Sequence, residues 1–189
     1  MPDYRRAYDP GGTFFFTLVT AGRRALFDSP RNRQLLHESI SECGHVRPVK
    51  WVAIVLLPDH LHAMWQLPTG DVDFSVRWAA IKSGFTRSFL AGGGAESGPP
   101  RRKGGRGVWQ ERFWEHVIRD ETDFDRHLDY IHFNPVKHGL ASCPHAWEPS
   151  SFHQWVSQRG YDADWLCTCG GCSPVMPDFS DLPGVEMDE

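Results

Sequence analysis

Hydrophobic periodicity along this chain changes repeatedly, and each change marks an element. After a Pro10-Gly11-Gly12 turn, Thr13 to Thr20 is a run of aromatic and β-branched residues that predicts a strand. Ser29-Pro30 then reads as a cap followed by proline at the first helical position. Leu35, Leu36, Ser39 and Ile40 keep helical spacing as far as Gly44. Two apolar runs, Val49–Leu57 and His60–Leu67, flank a tight Pro58-Asp59 connection and predict an antiparallel hairpin. Phe74, Trp78, Ile81, Phe85 and Phe89 recur every three or four residues, so Phe74 to Leu90 predicts an amphipathic helix. From Val108 to Ile118 the pattern is strand-like, with Trp109, Glu111, Phe113, Glu115 and Val117 on one face. A last helix is capped at Thr122, carries Asp123 and Asp125 in its first turn, and runs through Phe124, Leu128 and Ile131. Pro135 disfavours the α conformation at Asn134, which predicts the end of that helix.

The order strand, helix, strand, strand, helix, strand, helix predicts an α+β, ferredoxin-like domain. Its antiparallel sheet would carry the helices on one face. At 189 residues the chain fits one domain, placed at 1–159, with 160–189 as an acidic, Cys-containing tail. Between Ser142 and the end, Trp147, Phe152, Trp155, Tyr161 and Trp165 are scattered among prolines and glycines, which suits a wrap over the domain. Ala91 to Gly107 holds seven glycines, two prolines and four basic residues in seventeen positions, too few apolar groups for a packed element, and predicts a flexible basic loop.

Charge sharpens this division. The net charge is −4, but the segment from Gly160 onward holds seven acidic residues and no Lys or Arg, leaving the body mildly basic. Between Arg77 and Arg119 nine Lys or Arg face three Glu, interleaved with Trp78, Phe85, Phe89, Trp109, Phe113 and Trp114. Such a mixture suits a polyanion with stackable bases, although composition alone favours a solvated helix face over core aromatics. No apolar run reaches the roughly 20 residues of a membrane span, and Met1 to Arg6 lacks a secretory core, so a cytoplasmic location is the default expectation.

Five cysteines, three of them at Cys167, Cys169 and Cys172, do not read as a disulfide framework. Cys43 and Cys143 are expected as small buried apolar residues. The Cys167 to Cys172 group would need a fourth ligand to hold zinc, and His145 and His153 are the available imidazoles. The alternative is a reactive tail.

The strongest candidate chemistry is Pro58-Asp59-His60-Leu61-His62. Alternation along a strand puts His60 and His62 on one side, about 7 Å apart, with Leu61 facing the core. The pair would share a metal ion or simply lie at the mouth of the hairpin. On the last helix Tyr130 and Asn134 are four apart and His127 lies one turn earlier, so the three share a face. Packed together, these residues would form a metal site with a phenol nucleophile beside it, whose deprotonation needs the cation or a base such as His127.

Pro58 to His62 resembles the His-hydrophobe-His motif of the HUH single-strand DNA nucleases. Tyr130 to Gly139, including Asn134-Pro135-Val136-Lys137-His138, is similar to the tyrosine helix of the REP-associated tyrosine transposases, an IS200-like Y1 family. Tyr4-Arg5-Arg6-Ala7, the Pro10 to Thr17 opening and Arg112 to His116 share the likeness, which spans about residues 4 to 155. The resemblance implies an HUH-type ferredoxin-like fold, a divalent metal (Mg²⁺ or Mn²⁺), and nicking or rejoining of single-stranded DNA hairpins at repetitive extragenic palindromes through a 5′-phosphotyrosine. It assigns Tyr130 as nucleophile and His60 and His62 as metal ligands. Asn134 stands where the wider insertion-sequence group carries glutamine as third ligand. His116 would orient DNA or a ligand, or satisfy the core. DNA contacts are expected from Tyr4, Arg5, Arg6, Arg77, Lys82, Arg87, Arg101, Arg102, Lys103 and Arg106, the last four on electrostatics alone. The family implies a monomer and no membrane partner. A domesticated hairpin-binding protein without cleavage, or a hydrolase of small phosphoesters, would be built from the same motifs. The acidic tail is expected to lie over the basic DNA surface and restrain activity.

Overall fold

The computed structural model describes residues 8–97, 106–169, 171 and 173–183. Its elements run β1 (Thr13–Val19), α1 (Pro30–Val46), β2 (Lys50–Leu56), β3 (His60–Gln66), α2 (Phe74–Ala91), β4 (Trp114–Val117), α3 (Glu121–Lys137) and α4 (Phe152–Ser157). The four strands form one antiparallel sheet in the order β2-β3-β1-β4. This is the ferredoxin-like α+β arrangement predicted from the element order.

The helices do not share a face. Phe14, Phe16 and Leu18 of β1 and Leu61, Ala63 and Trp65 of β3 pack with Leu36 of α1 and Trp78, Ile81 and Phe85 of α2. Phe15, Val55 and Met64 point the other way and pack with Leu128, Tyr130, Ile131 and Phe133 of α3. The reason lies in β1, where Phe14, Phe15 and Phe16 are all buried. A strand apolar on both sides needs cover on both sides.

Three further departures have local causes. The strand expected from Val108 shrinks to Trp114–Val117. Thr20 pairs with Trp109 and Thr17 with Trp114, so three steps along β1 face five along its neighbour and the intervening residues loop out. The cap of α3 is Asp120, whose carboxylate accepts from the Asp123 N–H at 2.9 Å, and not Thr122. The helix also runs through Pro135. Termination comes at Gly139, with φ of 66°, where Leu140 N–H returns to the Pro135 carbonyl.

The C-terminal wrap is built on aromatic contacts. Phe152, Tyr161 and Trp165 stack on one another, and His132 of α3 is enclosed by Phe152, Trp155 and Tyr161. Trp147 and Trp155 donate to the Leu56 and Val52 carbonyls of edge strand β2. That pairing covers backbone that would otherwise recruit another strand. Cys43 is buried as expected, whereas Cys143 and Cys167 are joined in a disulfide across 24 residues, against the prediction. No helix among the described residues is long and apolar enough to cross a membrane.

Candidate active site

β3 begins at His60, opposite Val19, and His62 lies opposite Thr17 in the centre of the sheet. Alternation turns both imidazoles to the α3 face while Leu61 enters the opposite core. Their ring centroids are 5.0 Å apart, and both residues are buried. Each ring is fixed through Nδ1: His60 donates to Asp59 Oδ1 at 2.6 Å, and His62 pairs with the Thr17 hydroxyl at 2.9 Å. With Nδ1 engaged, Nε2 is the atom that each ring would offer to a ligand. A carboxylate or hydroxyl behind the ring is the usual way to set the tautomer of a metal-binding histidine. Burial alone would raise the Asp59 pKa, but the hydrogen bonds from His60 and Arg23 and the Arg23 charge outweigh it and hold the carboxyl below its usual value.

The α3 face opposite carries Tyr130, Asn134 and His138, at i, i+4 and i+8. The Tyr130 ring meets His62 at 5.2 Å, and His138 meets His60 at 5.3 Å. Helix periodicity therefore places Asn134 between them, beside the histidine pair. Asn134 is fully buried, and neither its amide oxygen nor its nitrogen has a hydrogen-bond partner. A buried amide costs about 1–3 kcal/mol when left unsatisfied, so this pair of atoms fits a ligand-binding role better than a structural one. Two imidazole nitrogens and an amide oxygen are a donor set that fits a divalent cation.

At the other end of the phenol, Lys137 donates to Tyr130 Oη at 3.2 Å, with its ammonium 5.1 Å from the ring centroid. Phe179 of the C-terminal segment closes over the same ring at 5.4 Å, and Arg126 pairs with Asp181 next to it. The described part of the tail thus lies on α3, over the tyrosine, and not over Arg87 or Arg106. Tyr130 is 1% exposed as a result.

His116 and His127 form a separate layer with Asp123. His116 Nε2 lies 2.8 Å from Asp123 Oδ2, His127 Nδ1 lies 3.0 Å from Oδ1, and the two rings stack at 4.7 Å. Burial, opposed by His116 and Arg119, leaves Asp123 ionised with a pKa near 2. Burial pushes His127 down to about 4, with the positive charges of His116 and Arg119 adding to it. His127 meets the Phe15 ring, and Phe15 in turn meets His62 and Tyr130. This triad supports the wall behind the site.

No family model matches the chain. A REP-associated tyrosine transposase of Escherichia coli K12 is 41% identical over 165 residues, covering 87% of this chain and 91% of that protein. The chain belongs to the REP-associated tyrosine transposases. A Haemophilus influenzae protein provisionally given the same name is 39% identical over 165 residues, covering 87% of this chain and 93% of its own length. The solved structure of a REP-associated tyrosine transposase bound to a REP hairpin superposes with a TM-score of 0.75 at 37% identity, covering 94% of this chain and all of that one.

In this member of the REP-associated tyrosine transposases the basic residues singled out for DNA divide into three groups. Tyr4, Arg5, Arg6, Arg101, Arg102 and Lys103 lie outside the described residues. Arg77 is 4% exposed, with its guanidinium bound to Asp71 and to the Arg47 and Pro48 carbonyls, so it ties α2 to the end of α1 and presents nothing to DNA. Lys82 is half-buried and donates to the Gln110 carbonyl, while Arg87 and Arg106 are exposed beside a groove that includes Ser83 and Thr86. Arg106 also pairs with Glu96.

Asp59, Thr17, Lys137 and His138 were not singled out by sequence reasoning. The signal for the last two was present: His138 is four residues after Asn134, and Lys137 is seven after Tyr130. Ending the helix at Pro135 concealed both. Burial, with the nearby Lys137 ammonium adding to it, pushes His138 down to about 4, so at neutral pH it is an uncharged ring.

Proposed function

We propose that this protein is a metal-dependent single-stranded DNA endonuclease and strand transferase that acts on palindromic hairpin DNA through a covalent 5′-phosphotyrosine at Tyr130. The observation that carries this reading is the contact of the Tyr130 phenol with His62 on one side and the Lys137 ammonium on the other, in one chain and one cluster of side chains. Because nucleophile and histidine pair meet within a single chain, the reading needs no exchange of tyrosines and is consistent with a monomer.

In this account Tyr130 Oη attacks phosphorus and the bond to O3′ breaks, leaving a free 3′-hydroxyl and a phosphotyrosine on the 5′ side. Lys137 holds the phenol oxygen and stabilises negative charge on it as its proton passes to water, and water in turn protonates the departing O3′. His60, His62 and Asn134 would hold a divalent ion, Mg²⁺ or Mn²⁺, which supplies neutralisation of the non-bridging phosphate oxygens. Asp59 and Thr17 fix the two imidazoles in the tautomer that bears a lone pair on Nε2. An imidazole-rich site is softer than Mg²⁺ prefers, which favours Mn²⁺ as activator in vitro. His127 serves as wall, because its Nδ1 is committed to Asp123 and its depressed pKa makes it a poor base at neutral pH. The DNA partner would be a REP-like hairpin, with the exposed Arg87 as a phosphate contact.

The test is a denaturing gel with a labelled single-stranded palindromic hairpin and Mn²⁺ or Mg²⁺. Wild-type protein is expected to leave a denaturation-resistant adduct on the strand 3′ of the break, absent from Tyr130→Phe and from the double variant His60→Ala, His62→Ala. Cleavage that survives Tyr130→Phe would assign the attack to water. Tight hairpin binding without a cut or adduct would leave a binding protein without cleavage.

A further inference from the structure

Three cysteines and one histidine come together just past the C-terminal end of α3. The Pro144–Ala146 turn carries Cys143 and His145, and the chain returns at Cys167 and Cys169 after the aromatic wrap. One ligand atom from each of these four residues lies within 4.8 Å of all the others. Bonds of about 2.3 Å to sulfur in a tetrahedral zinc site put ligand atoms about 3.8 Å apart, so the four groups already occupy the volume of such a site. His153, the other imidazole weighed for this role, sits on α4 beside Phe152 and is not part of the cluster. Cys172 lies outside the described residues.

A disulfide between Cys143 and Cys167 accounts for two of the four groups and leaves Cys169 and His145 unexplained. The surroundings of Cys169 suit a metal thiolate. Its backbone N–H points at Cys167 Sγ at 3.4 Å, and the Ser142 hydroxyl lies 3.2 Å from its own sulfur. N–H and O–H groups aimed at sulfur stabilise the deprotonated ligand and are typical partners of metal-bound sulfur. The two arms are also joined without any metal, since Thr168 donates through both its N–H and its hydroxyl to the Ser142 carbonyl. Cys143 is buried and Cys167 half-buried, while His145 and Cys169 are exposed, as expected of a site with two inner ligands on the domain and two outer ones closing it.

We infer that Cys143, His145, Cys167 and Cys169 form a Cys₃His zinc site in the reduced protein, a structural clasp that closes the wrap over α3. The disulfide is the oxidised form of the same clasp. Two equivalents of a low-molecular-weight thiol convert it to two free thiols and one thiol disulfide. Zn²⁺ then displaces the protons of the three cysteine thiols as it binds. A protein working on chromosomal DNA meets a reducing compartment, where the metal form prevails over the disulfide. The clasp closes the segment that holds Trp155, Tyr161 and Trp165 against His132, so its metal acts on the stability of the α3 support and not on the chemistry at Tyr130.

Full-length protein is reduced with a thiol, incubated with Zn²⁺, dialysed exhaustively, and its zinc measured by atomic emission. Wild type and the Cys43→Ser control are expected to retain about one zinc per chain, with Cys169→Ser and His145→Ala losing most of it. Both variants change exposed residues outside the disulfide, so the fold and the Cys143–Cys167 pair survive them. Co²⁺ in place of Zn²⁺ should give the visible absorption of a tetrahedral thiolate site in wild type alone. A chelator should lower the melting temperature of reduced wild type and leave that of Cys169→Ser unchanged. Reduced wild type that holds no zinc, or Cys169→Ser and His145→Ala that hold as much as wild type, would overturn the clasp and leave a simple disulfide.

Discussion

The two faces of the sheet are packed from the same strands but with different chemistry. On the α1 and α2 side, Phe14, Phe16, Leu18, Leu61, Ala63 and Trp65 meet Trp78 and Phe85 in an apolar layer. On the α3 side, His60, His62, His127, His132, Asn134 and Asp123 are buried among Phe15, Met64, Ile131 and Phe133. The first face maximises burial. The second buries ionisable and amide groups, and Asn134 among them pairs neither its amide oxygen nor its nitrogen, which folding alone would select against. The packing on α1 and α2 is thus built for stability, whereas α3 carries the candidate site.

The largest expected effect separates the two faces by function. His62→Ala should reduce hairpin cleavage about a thousand-fold, through loss of several kcal/mol of charge stabilisation, while the urea midpoint moves little. Phe16→Ala on the other side should do the reverse. It should cost about 3–5 kcal/mol of stability and leave the activity of the remaining folded protein near wild type. Activity and denaturation measured on both variants would break the comparison if each variant lost both.

Acid should strike the α3 face first. His127 and His132 are held at about 4 and about 3 by burial, below the ordinary 6.5, so the unfolded chain takes up protons that the folded chain refuses. Stability is therefore full above about pH 6.5 and falls as pH drops toward 4 and below. The contribution of Asp123, whose pKa falls from 3.8 to about 2, is lost only below pH 4. Urea midpoints that stay constant from pH 7.5 to pH 5 would contradict this.

Smaller effects concern access to the site. Truncation after Pro177 removes Phe179 and Asp181 from α3 and should speed adduct formation severalfold, read on the same denaturing gel. Arg87→Ala should weaken hairpin binding only a few-fold and flatten its dependence on salt by about one counterion, measured by titration at several salt concentrations.

The alternation around His60 and His62 and the i, i+4 relation of Tyr130 and Asn134 were legible because both follow from local geometry. The layer order was not, since a run such as Phe14-Phe15-Phe16 reads the same whether one face or two is covered. Pro135 misled for a specific reason. A proline in the last turn removes one N–H but does not stop a helix that ends only at Gly139, four residues further on, so Lys137 and His138 continue the face of Tyr130 and Asn134. Arg77 counted as surface charge, though Asp71 and two carbonyls absorb it. Nothing local could pair Cys143 with Cys167, because only the path of the wrap brings them together.

The central claim is that Tyr130 becomes covalently bound to DNA, and mapping the bond tests it most directly. Adduct formed with a hairpin substrate would be digested with nuclease and protease, and the modified peptide sequenced by tandem mass spectrometry. The expected result is a nucleotide joined through its 5′-phosphate to Tyr130. A phosphate on any other residue, or cleaved DNA with no modified peptide at all, would contradict it.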